Sequence, residues 1–345
     1  MIPIQNIYYM LSYAFQVLNE QGYKNIATEQ FHNTAELMAA ILEKGIAIQL
    51  KRGLGKEYIP QTEALSSLRG KIDIAESIKT QSMLRKQLIC TYDEFSVNSI
   101  MNQIIKSTVE LLLRSNISKQ RKKNLRKLMV YFSEVDFIDL YTVNWNVQYN
   151  RNNQTYRMLI SICYLVVKGL LQTQSNGHTE LMDFLDEQRM CRLYEKFILE
   201  YYRKEFKNQF TANASQIPWQ LDNEENSMLP VMQSDIMLQS GEKVLIIDAK
   251  YYEHSTQVQF DKHTLHSGNL YQIFTYVKNK EYELREKDHT VSGMLLYAKT
   301  DEEIYPNNVY QMSGNQITVR TLDLNLPFDE IAGQLNTIAK THFDL

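Results

Sequence analysis

The chain has 345 residues, of which 44% are hydrophobic and 22% are charged, and its formal net charge is −3. This length leaves room for two domains, and this composition is typical of a globular protein and excludes a disordered one. The small negative charge excludes an overall basic nucleic-acid-binding protein, so any contact with nucleic acid must come from a local patch or from a partner.

No targeting or membrane segment is expected. The first residues, Met1-Ile-Pro-Ile-Gln-Asn, lack the basic head and apolar core of a signal peptide. No apolar run reaches the roughly 18 residues that a membrane span needs. Cys90, Cys163 and Cys191 lie far apart, which excludes a C-x-x-C zinc motif and favours a reducing compartment. We therefore expect a cytoplasmic protein with no membrane partner.

The first half of the chain is predicted to be an α+β domain. Apolar residues at helical spacing predict helices over residues 3–18, 33–50, 98–115 and 155–173. Asn6 is a candidate cap of the first helix, and the second is expected to break near Gly45. The polar segment 172–179 marks the predicted boundary between an N-terminal domain of residues 1–175 and a second domain of residues 180–345.

Two segments of the first half stand out. Residues 51–92 contain short extended runs and basic, glycine-containing turns, which predict an exposed β-rich projection. The phosphate loop G-x-x-x-x-G-K-[ST] occurs nowhere in the sequence, so the chain should not hydrolyse nucleotides itself. Residues 119–127 form a strongly basic run, for which a solvated helical face is the first interpretation and a phosphate-contact patch the alternative.

The second half is predicted to be an α/β domain with a mixed central sheet flanked by helices. A helix over residues 188–208 precedes a β-hairpin over 232–250. The elements that follow are a helix over 267–278, a strand over 291–297, two short strands over 309–320 and a helix over 327–342. A strand–helix–strand order favours a parallel pair of strands joined by a crossover helix.

The predicted hairpin over residues 232–250 contains the candidate catalytic residues. The apolar run Val244–Ile247 ends in Asp248-Ala249-Lys250, and residues two apart on a strand point to the same face. Pairing around the turn brings Asp235 near Asp248. Two carboxylates are hard oxygen ligands for Mg²⁺, and an adjacent ammonium group orients water or stabilises developing charge. This set predicts phosphodiester hydrolysis; the alternative is a hairpin with solvated polar ends.

The neighbouring helices offer further side chains. Gln272 and Tyr276 lie four residues apart and share one face of the helix that follows the Asp-x-Lys strand. They are predicted to bind the DNA backbone or to position Lys250. Glu195 and Glu200 lie on the preceding helix, and either could add a metal-binding carboxylate, although each alone is more often a surface glutamate.

Asp235, Asp248-Ala-Lys250 and the Q-x-x-x-Y helix together resemble the PD-(D/E)xK nuclease superfamily. The first motif is Ser234-Asp235 and lacks the proline of the superfamily name. The first half of the chain narrows the resemblance. The sequences Asn6-Ile-Tyr-Tyr-Met-Leu-Ser-Tyr-Ala14, Leu68-Arg-Gly-Lys-Ile-Asp73 and Asn102-Gln-Ile-Ile-Lys106 are similar to the McrC family, the nuclease subunit of McrBC modification-dependent restriction systems used in phage defence.

This resemblance implies a specific division of labour. The expected partner is a McrB-type AAA+ GTPase that forms a hexameric ring, binds the GTP and recognises double-stranded DNA with 5-methylcytosine. The McrC-type subunit binds the ring through its N-terminal domain, stimulates GTP hydrolysis and cuts DNA. The implied catalytic residues are Asp235, Asp248, Lys250, Gln272 and Tyr276, and the implied Mg²⁺ ligands are Asp235, Asp248 and Glu200.

The projection over residues 51–92 is where a ring-inserting element is expected, with Arg52, Lys56 and Arg69 as candidates for stimulating the partner GTPase. Two other hypotheses remain. One is a DNA-repair nuclease of the same superfamily that works with another motor, and the other is a regulatory subunit of a AAA+ ring without nuclease activity. The first-half motifs argue against the former, and the complete set of site residues argues against the latter.

Overall fold

A computed structural model describes residues 2–15, 18, 23, 26, 29, 31–150, 153, 155–173, 187–222, 228–252, 257–259, 262–299 and 305–345. The chain divides into two compact units. Unit 1 comprises Met1–Phe31 and Asp183–Leu345, and unit 2 comprises His32–Met182. No helix within these described ranges has the length and apolar character needed to cross a membrane.

The helices, in chain order, are α1 (Ile4–Ala14), α2 (Thr34–Arg52), α3 (Ile74–Lys79), α4 (Ile100–Arg114), α5 (Lys119–Met129), α6 (Tyr156–Thr173), α7 (Glu187–Glu205), α8 (Ser267–Leu284) and α9 (Phe328–Phe343). The strands are β1 (Glu57–Leu65), β2 (Lys71–Asp73), β3 (Leu88–Ser96), β4 (Thr211–Asn213), β5 (Gln216–Ile217), β6 (Met232–Gln233), β7 (Ile236–Ser240), β8 (Lys243–Lys250), β9 (Gln257–Gln259), β10 (Lys262–Thr264), β11 (Thr290–Ala298), β12 (Asn308–Met312) and β13 (Asn315–Leu322).

Unit 1 is built on a mixed six-stranded sheet in the order β12-β13-β11-β8-β7-β4. Strand β11 runs parallel to both of its neighbours, β8 and β13, and the other pairs are antiparallel. Helix α8 connects β8 to β11 and packs against both, so the predicted strand–helix–strand unit is present. The apolar run Val244–Ile247 is fully buried because β8 lies inside the sheet.

Helix α1 belongs to unit 1, which differs from the predicted domain of residues 1–175. The helix packs on α7, and Tyr13 Oη donates a 2.9 Å hydrogen bond to Glu205 Oε1. The prediction that Asn6 caps this helix is wrong, because Pro3 occupies the cap position. The Asn6 side chain is buried and donates to the carbonyls of Leu324 and Leu326, at 2.8 Å each. The first helix is therefore tied to the last part of the chain.

Unit 2 contains helices α2 to α6 and a small antiparallel sheet in the order β1-β3-β2. This sheet and the short helix α3 form the β-rich projection expected over residues 51–92. Gly70 makes the tight turn before β2: its φ is +70°, and a Cβ there would lie 2.7 Å from Tyr92 Cβ and closer still to the Thr91 carbonyl. Helix α2 continues through the buried Gly45 and does not break there as predicted.

The predicted boundary segment lies mostly outside the described residues, since 174–186 are not described. The division into units falls between Met182 and Asp183, and the first 31 residues group with the second half of the chain. The chain therefore leaves unit 1 after α1 and returns to it at α7.

Candidate active site

The antiparallel pairing of β7 with β8 sets the geometry of the two aspartates. Ile236 pairs with Ile247, so Asp235 and Asp248 stand opposite each other one step beyond that pair. Because residues that stand directly opposite each other on paired strands project their side chains to the same face of the sheet, the two carboxylates lie on one face. The main-chain amide of Ala249 donates a 2.9 Å hydrogen bond to Asp235 Oδ2. The hairpin thus brings together the two carboxylates that the sequence spacing suggested.

Asp248 is the most deeply buried charged group of the site, with only 1% of the residue exposed. Lys250 Nζ lies 2.9 Å from Asp248 Oδ2, as an ion pair outside hydrogen-bond geometry. Neither oxygen of the Asp248 carboxylate accepts a hydrogen bond from a described residue. A buried carboxylate without hydrogen-bond donors is energetically costly unless a cation compensates it.

Burial governs the protonation of this group of residues. Burial raises the pKa of Asp248 to about 7, against the opposing effect of Lys250, and the nearby Asp235 carboxylate raises it further. The pKa of Asp235 is also raised by burial, although Lys250 and the Ala249 amide act in the opposite direction. Burial lowers the pKa of Lys250, but the Asp248 and Asp235 carboxylates outweigh it, so the net shift is upward. Lys250 therefore stays cationic beside two carboxyl groups whose pKa values are raised.

Gln272 and Tyr276 reach the site from helix α8. Lys250 Nζ donates to Gln272 Oε1 at 3.4 Å, and Gln272 Nε2 donates to Tyr276 Oη at 2.8 Å. Tyr276 is 7% exposed and belongs to the apolar core beneath the helix. The tyrosine therefore orients the glutamine amide, whose oxygen faces the lysine. This geometry supports a positioning role for both residues.

The two candidate glutamates of α7 differ in their surroundings. Glu195 lines a cavity together with Asp235. Burial raises the pKa of Glu195, and the Asp235 carboxylate raises it further. Five helical residues separate the two glutamates by about 140° around α7, so they face different ways. Glu200 instead forms a 2.7 Å ion pair with Arg203, whose Nε donates to the Ala212 carbonyl. The predicted ligand Glu200 does not line this cavity, whereas Glu195 does.

The cavity beside Asp235 has a volume of about 370 Å³. Helix α7 contributes Arg192 to its wall and, one turn further along the helix, the consecutive residues Glu195 and Lys196. The cavity wall therefore carries the cationic side chains of Arg192 and Lys196 next to the carboxylates of Glu195 and Asp235. Such a surface suits a phosphate group held close to a metal ion.

A divalent metal fits the donor set in part. Asp235 and Asp248 present hard oxygen ligands, and the oxygens of Asp248 have no hydrogen-bond donor among the described residues. Within those residues, no three His, Cys, Asp or Glu side chains are close enough together to hold a metal ion. Mg²⁺ commonly uses only one or two protein carboxylates and retains several waters. Two aspartates are therefore sufficient protein ligands, and Glu195 would have to move to join them.

No sequence pattern pointed to three further residues near the site. The Cys191 thiol donates a 3.0 Å hydrogen bond to Glu195 Oε1, and burial raises its pKa to about 12. Tyr297 on β11 pairs in register with Lys250 and is fully buried. Asn269 Nδ2 donates to Tyr297 Oη at 2.9 Å. Only the pairing of β8 with β11 and the packing of α8 reveal these neighbours.

The three basic residues proposed to stimulate a partner all lie in unit 2 and are exposed. Arg52 is the last residue of α2, and Lys56 immediately precedes β1. Arg69 stacks over the Tyr92 ring at 4.1 Å. They belong to the base and the turn of the projection.

A mixed α/β sheet that presents two buried carboxylates and a lysine at a strand end is consistent with a nuclease-like fold. Comparison with known proteins identifies the family. The chain belongs to the McrBC 5-methylcytosine restriction system component family, whose model matches residues 5–298. The resemblance inferred from the sequence motifs is thereby confirmed.

Two relatives illustrate the similarity. The chain is 29% identical, over 329 residues, to the type IV methyl-directed restriction enzyme EcoKMcrBC of Escherichia coli K12, with 94% of this chain and 93% of the relative covered. A solved assembly of Thermococcus gammatolerans McrB AAA+ hexamers with bound McrC contains a chain of similar fold. That similarity has a TM-score of 0.50 at 18% identity and covers 97% of this chain and 76% of the other.

Proposed function

We propose that this chain is the Mg²⁺-dependent endonuclease subunit of a GTP-dependent restriction complex that cuts DNA containing methylated cytosine. The observation that carries this proposal is the cluster of Asp235, Asp248 and Lys250 at the end of β8. The 2.9 Å separation of Lys250 Nζ and Asp248 Oδ2 places a cation beside a buried carboxylate that accepts no hydrogen bond from a described residue. Membership of the McrBC family supports the restriction context.

Each residue has a defined role in this mechanism. Asp235 and Asp248 would hold Mg²⁺, which polarises a phosphoryl oxygen and lowers the pKa of a bound water. Lys250 orients the attacking water or stabilises the charge that develops on the phosphate. Gln272, held by Tyr276, keeps the lysine ammonium group at the carboxylate face. Glu195 supplies a further acidic group on the cavity side.

Cleavage of methylated plasmid DNA in the presence of the AAA+ partner, GTP and Mg²⁺ tests the catalytic assignment. We expect Asp248→Ala and Lys250→Ala to reduce the cleavage rate at least 100-fold, because several kcal/mol of transition-state stabilisation are lost. Lys243→Ala is a matched control, since Lys243 lies on the same strand and pairs with Asp344 at its other end. Cleavage by Asp248→Ala at the wild-type rate would refute the assignment.

We further propose that the projection of unit 2 docks on a hexameric AAA+ GTPase ring. The supporting observation is a set of large apolar side chains exposed on this small sheet and its connections: Tyr58, Leu68, Ile74, Ile78, Met83, Leu84 and Phe95. Exposed apolar patches of this kind mark protein–protein interaction sites. The Thermococcus gammatolerans assembly pairs McrC with McrB hexamers, and we propose the same type of partner here.

GTP turnover by the partner, measured with and without this chain, tests the docking proposal. Leu84, which is 81% exposed, is replaced by Ser, and Val309 in unit 1, which is 59% exposed, is replaced by Ser as the control. We expect Leu84→Ser to weaken the stimulation of GTP turnover and Val309→Ser to preserve it. Arg52→Ala, Lys56→Ala and Arg69→Ala then show which basic residue contributes. No stimulation by the wild-type chain would remove the partner proposal while leaving the nuclease proposal to its own test.

A further inference from the structure

Helix α5 is the most strongly charged surface element of unit 2. Its sequence, Lys-Gln-Arg-Lys-Lys-Asn-Leu-Arg-Lys-Leu-Met, contains six cationic residues and no acidic residue. The chain as a whole has a net charge of −3, so this concentration of positive charge is local. Neither the carboxylate site nor the β-rich projection includes this helix.

The inner face of α5 accounts for only one of the six cations. Arg121 forms ion pairs with Glu36 at 3.3 Å and with Glu43 at 2.9 Å, and all three side chains are largely buried. Asn124 Nδ2 adds a 3.0 Å hydrogen bond to Glu43, and Leu125 is fully buried. These contacts fix the rotation of α5 against α2.

That rotation leaves the other cations on the outer face. Lys119, Lys123, Arg126 and Lys127 are exposed, and Lys122 is half-buried. Within the described part of the chain, none of these five forms an ion pair or a hydrogen bond through its side chain. Lys119, Lys123 and Lys127 recur every four residues and therefore form one stripe along the helix.

This arrangement is unfavourable for an isolated helix. Like charges four residues apart repel, as in the pairs Lys119–Lys123 and Lys123–Lys127. Cations in the first turns also oppose the positive end of the helix dipole. No nearby carboxylate on α5 offsets either effect. Helix stability therefore does not explain the pattern, whereas binding of a polyanion would relieve the repulsion.

We propose that the outer face of α5 binds the phosphate backbone of duplex DNA, as a contact separate from the carboxylate site. Eight residues of helix place Lys119 and Lys127 about 12 Å apart. Duplex DNA carries one negative charge per about 1.7 Å of its axis, so a stripe of this length faces several phosphates. The proposal rests on the proposed function for the identity of the polyanion, because an endonuclease must engage DNA.

A phosphate backbone fits this face better than an acidic protein does. The outer face of α5 consists of flexible lysines and one arginine, which suits contacts to a regular array of charges, and the exposed apolar Val130 and Tyr131 lie beyond the end of the helix. A protein interface would normally bury an apolar centre. The contacts carry no base specificity and would hold the DNA without selecting its sequence.

The experiment uses the full chain carrying Asp248→Ala, so that binding is measured without cutting. A variant with Lys119→Gln, Lys123→Gln and Lys127→Gln is compared with a control carrying Lys207→Gln, Lys287→Gln and Lys340→Gln. The control lysines are exposed residues of unit 1, and both triple variants change the net charge by the same amount. Glutamine preserves helix propensity, and circular dichroism verifies that α5 stays folded. Fluorescence anisotropy with a labelled duplex gives the Kd at several salt concentrations.

We expect the α5 variant to bind DNA at least fivefold more weakly at low salt than the parent. The slope of log K against log salt concentration should decrease in magnitude by about 2 to 3, since each lost phosphate contact contributes about 0.9. The control should keep most of the parent's affinity. Equal Kd values and slopes for the α5 variant and the parent would overturn the inference, as would absence of DNA binding by the parent at low salt.

Two further outcomes separate this inference from the proposed function. If the α5 variant keeps DNA binding and loses only the stimulation of the partner GTPase, α5 is a protein-binding surface and the inference is wrong. If the chain with an intact Asp248 never cuts DNA but its binding depends on α5 as described, the inference holds and the nuclease proposal fails. The α5 proposal is therefore tested by DNA binding and the nuclease proposal by DNA cleavage.

Discussion

Lys250 and Gln272 are joined by a hydrogen bond of 3.4 Å between Nζ and Oε1, which links the strand that ends in the carboxylate site to the helix that follows it. Because Gln272 is itself held by Tyr276, the side chain of the lysine is fixed from the helix side as well as by Asp248. The site thus depends on the packing of α8 against the sheet.

Replacing Gln272 tests this dependence. We expect Gln272→Ala to reduce cleavage about tenfold, because Lys250 loses one of its two polar partners while the metal ligands remain. Tyr276→Phe removes only the phenol oxygen and should have a smaller effect of a few-fold. Single-turnover cleavage rates at saturating Mg²⁺ measure both. Unchanged cleavage in Gln272→Ala would show that Asp248 alone positions the lysine.

Glu195 and Glu200 provide a matched comparison on one helix. We expect Glu195→Gln to reduce cleavage at least tenfold and to raise the Mg²⁺ concentration needed for half-maximal activity, because Glu195 shares the cavity with Asp235. Glu200→Gln removes the ion pair with Arg203 and should leave cleavage close to that of the wild type. Mg²⁺ titrations of the cleavage rate of both variants show which of the two glutamates contributes to metal-dependent cleavage. The reverse order of effects would restore the original prediction of Glu200.

The pKa of Asp248 gives a pH dependence of stability. Its pKa in the fold, about 7, lies above the ordinary value of 3.8, so the folded protein binds more protons than the unfolded chain between these pH values. The free energy of unfolding of the metal-free protein should therefore fall as pH rises from about 4 to about 7. Thermal unfolding in EDTA measures this trend. Asp248→Asn should flatten it, and a trend that is identical in wild type and variant would contradict the assignment.

Gly293 on β11 sets how closely α8 approaches the sheet. A Cβ at this position would lie 2.8 Å from side-chain atoms of Ile273, Val277 and Ile317. We expect Gly293→Ala to destabilise the fold by about 1–3 kcal/mol through overpacking and to lower cleavage by displacing Gln272. Gly333→Ala on α9 is the control, since its Cβ would meet no atom within 4 Å. Denaturant unfolding and cleavage assays of both variants test the prediction.

Asn6 tests whether the first helix is an integral part of unit 1. Asn6→Ala leaves the carbonyls of Leu324 and Leu326 without their donor, which should cost about 1–3 kcal/mol of unfolding free energy. Asn325→Ala, at an exposed position of the same segment, should change stability by less than about 0.5 kcal/mol. Chemical denaturation of the two variants gives both values. An Asn6→Ala variant as stable as the wild type would show that α1 contributes little to this unit.

The β7–β8 hairpin and the shared face of α8 could be predicted from residues that are close together in the chain. Alternation and β-branched residues defined the β7–β8 hairpin, and the register implied by its turn brought Asp235 opposite Asp248. The four-residue spacing of Gln272 and Tyr276 put both on one face of α8. These predictions succeeded because strand and helix periodicities depend on neighbours within a few residues.

Contacts between elements that are distant in sequence could be read only from the tertiary structure. That Glu195 and not Glu200 lines the cavity beside Asp235 depends on the rotation of α7 against the sheet. Asn6 acts in contacts to residues more than 300 positions away and not as a cap. The membership of α1 in unit 1 has the same origin. Each of these features results from packing between segments that are remote in sequence, and no local pattern of residues carries that information.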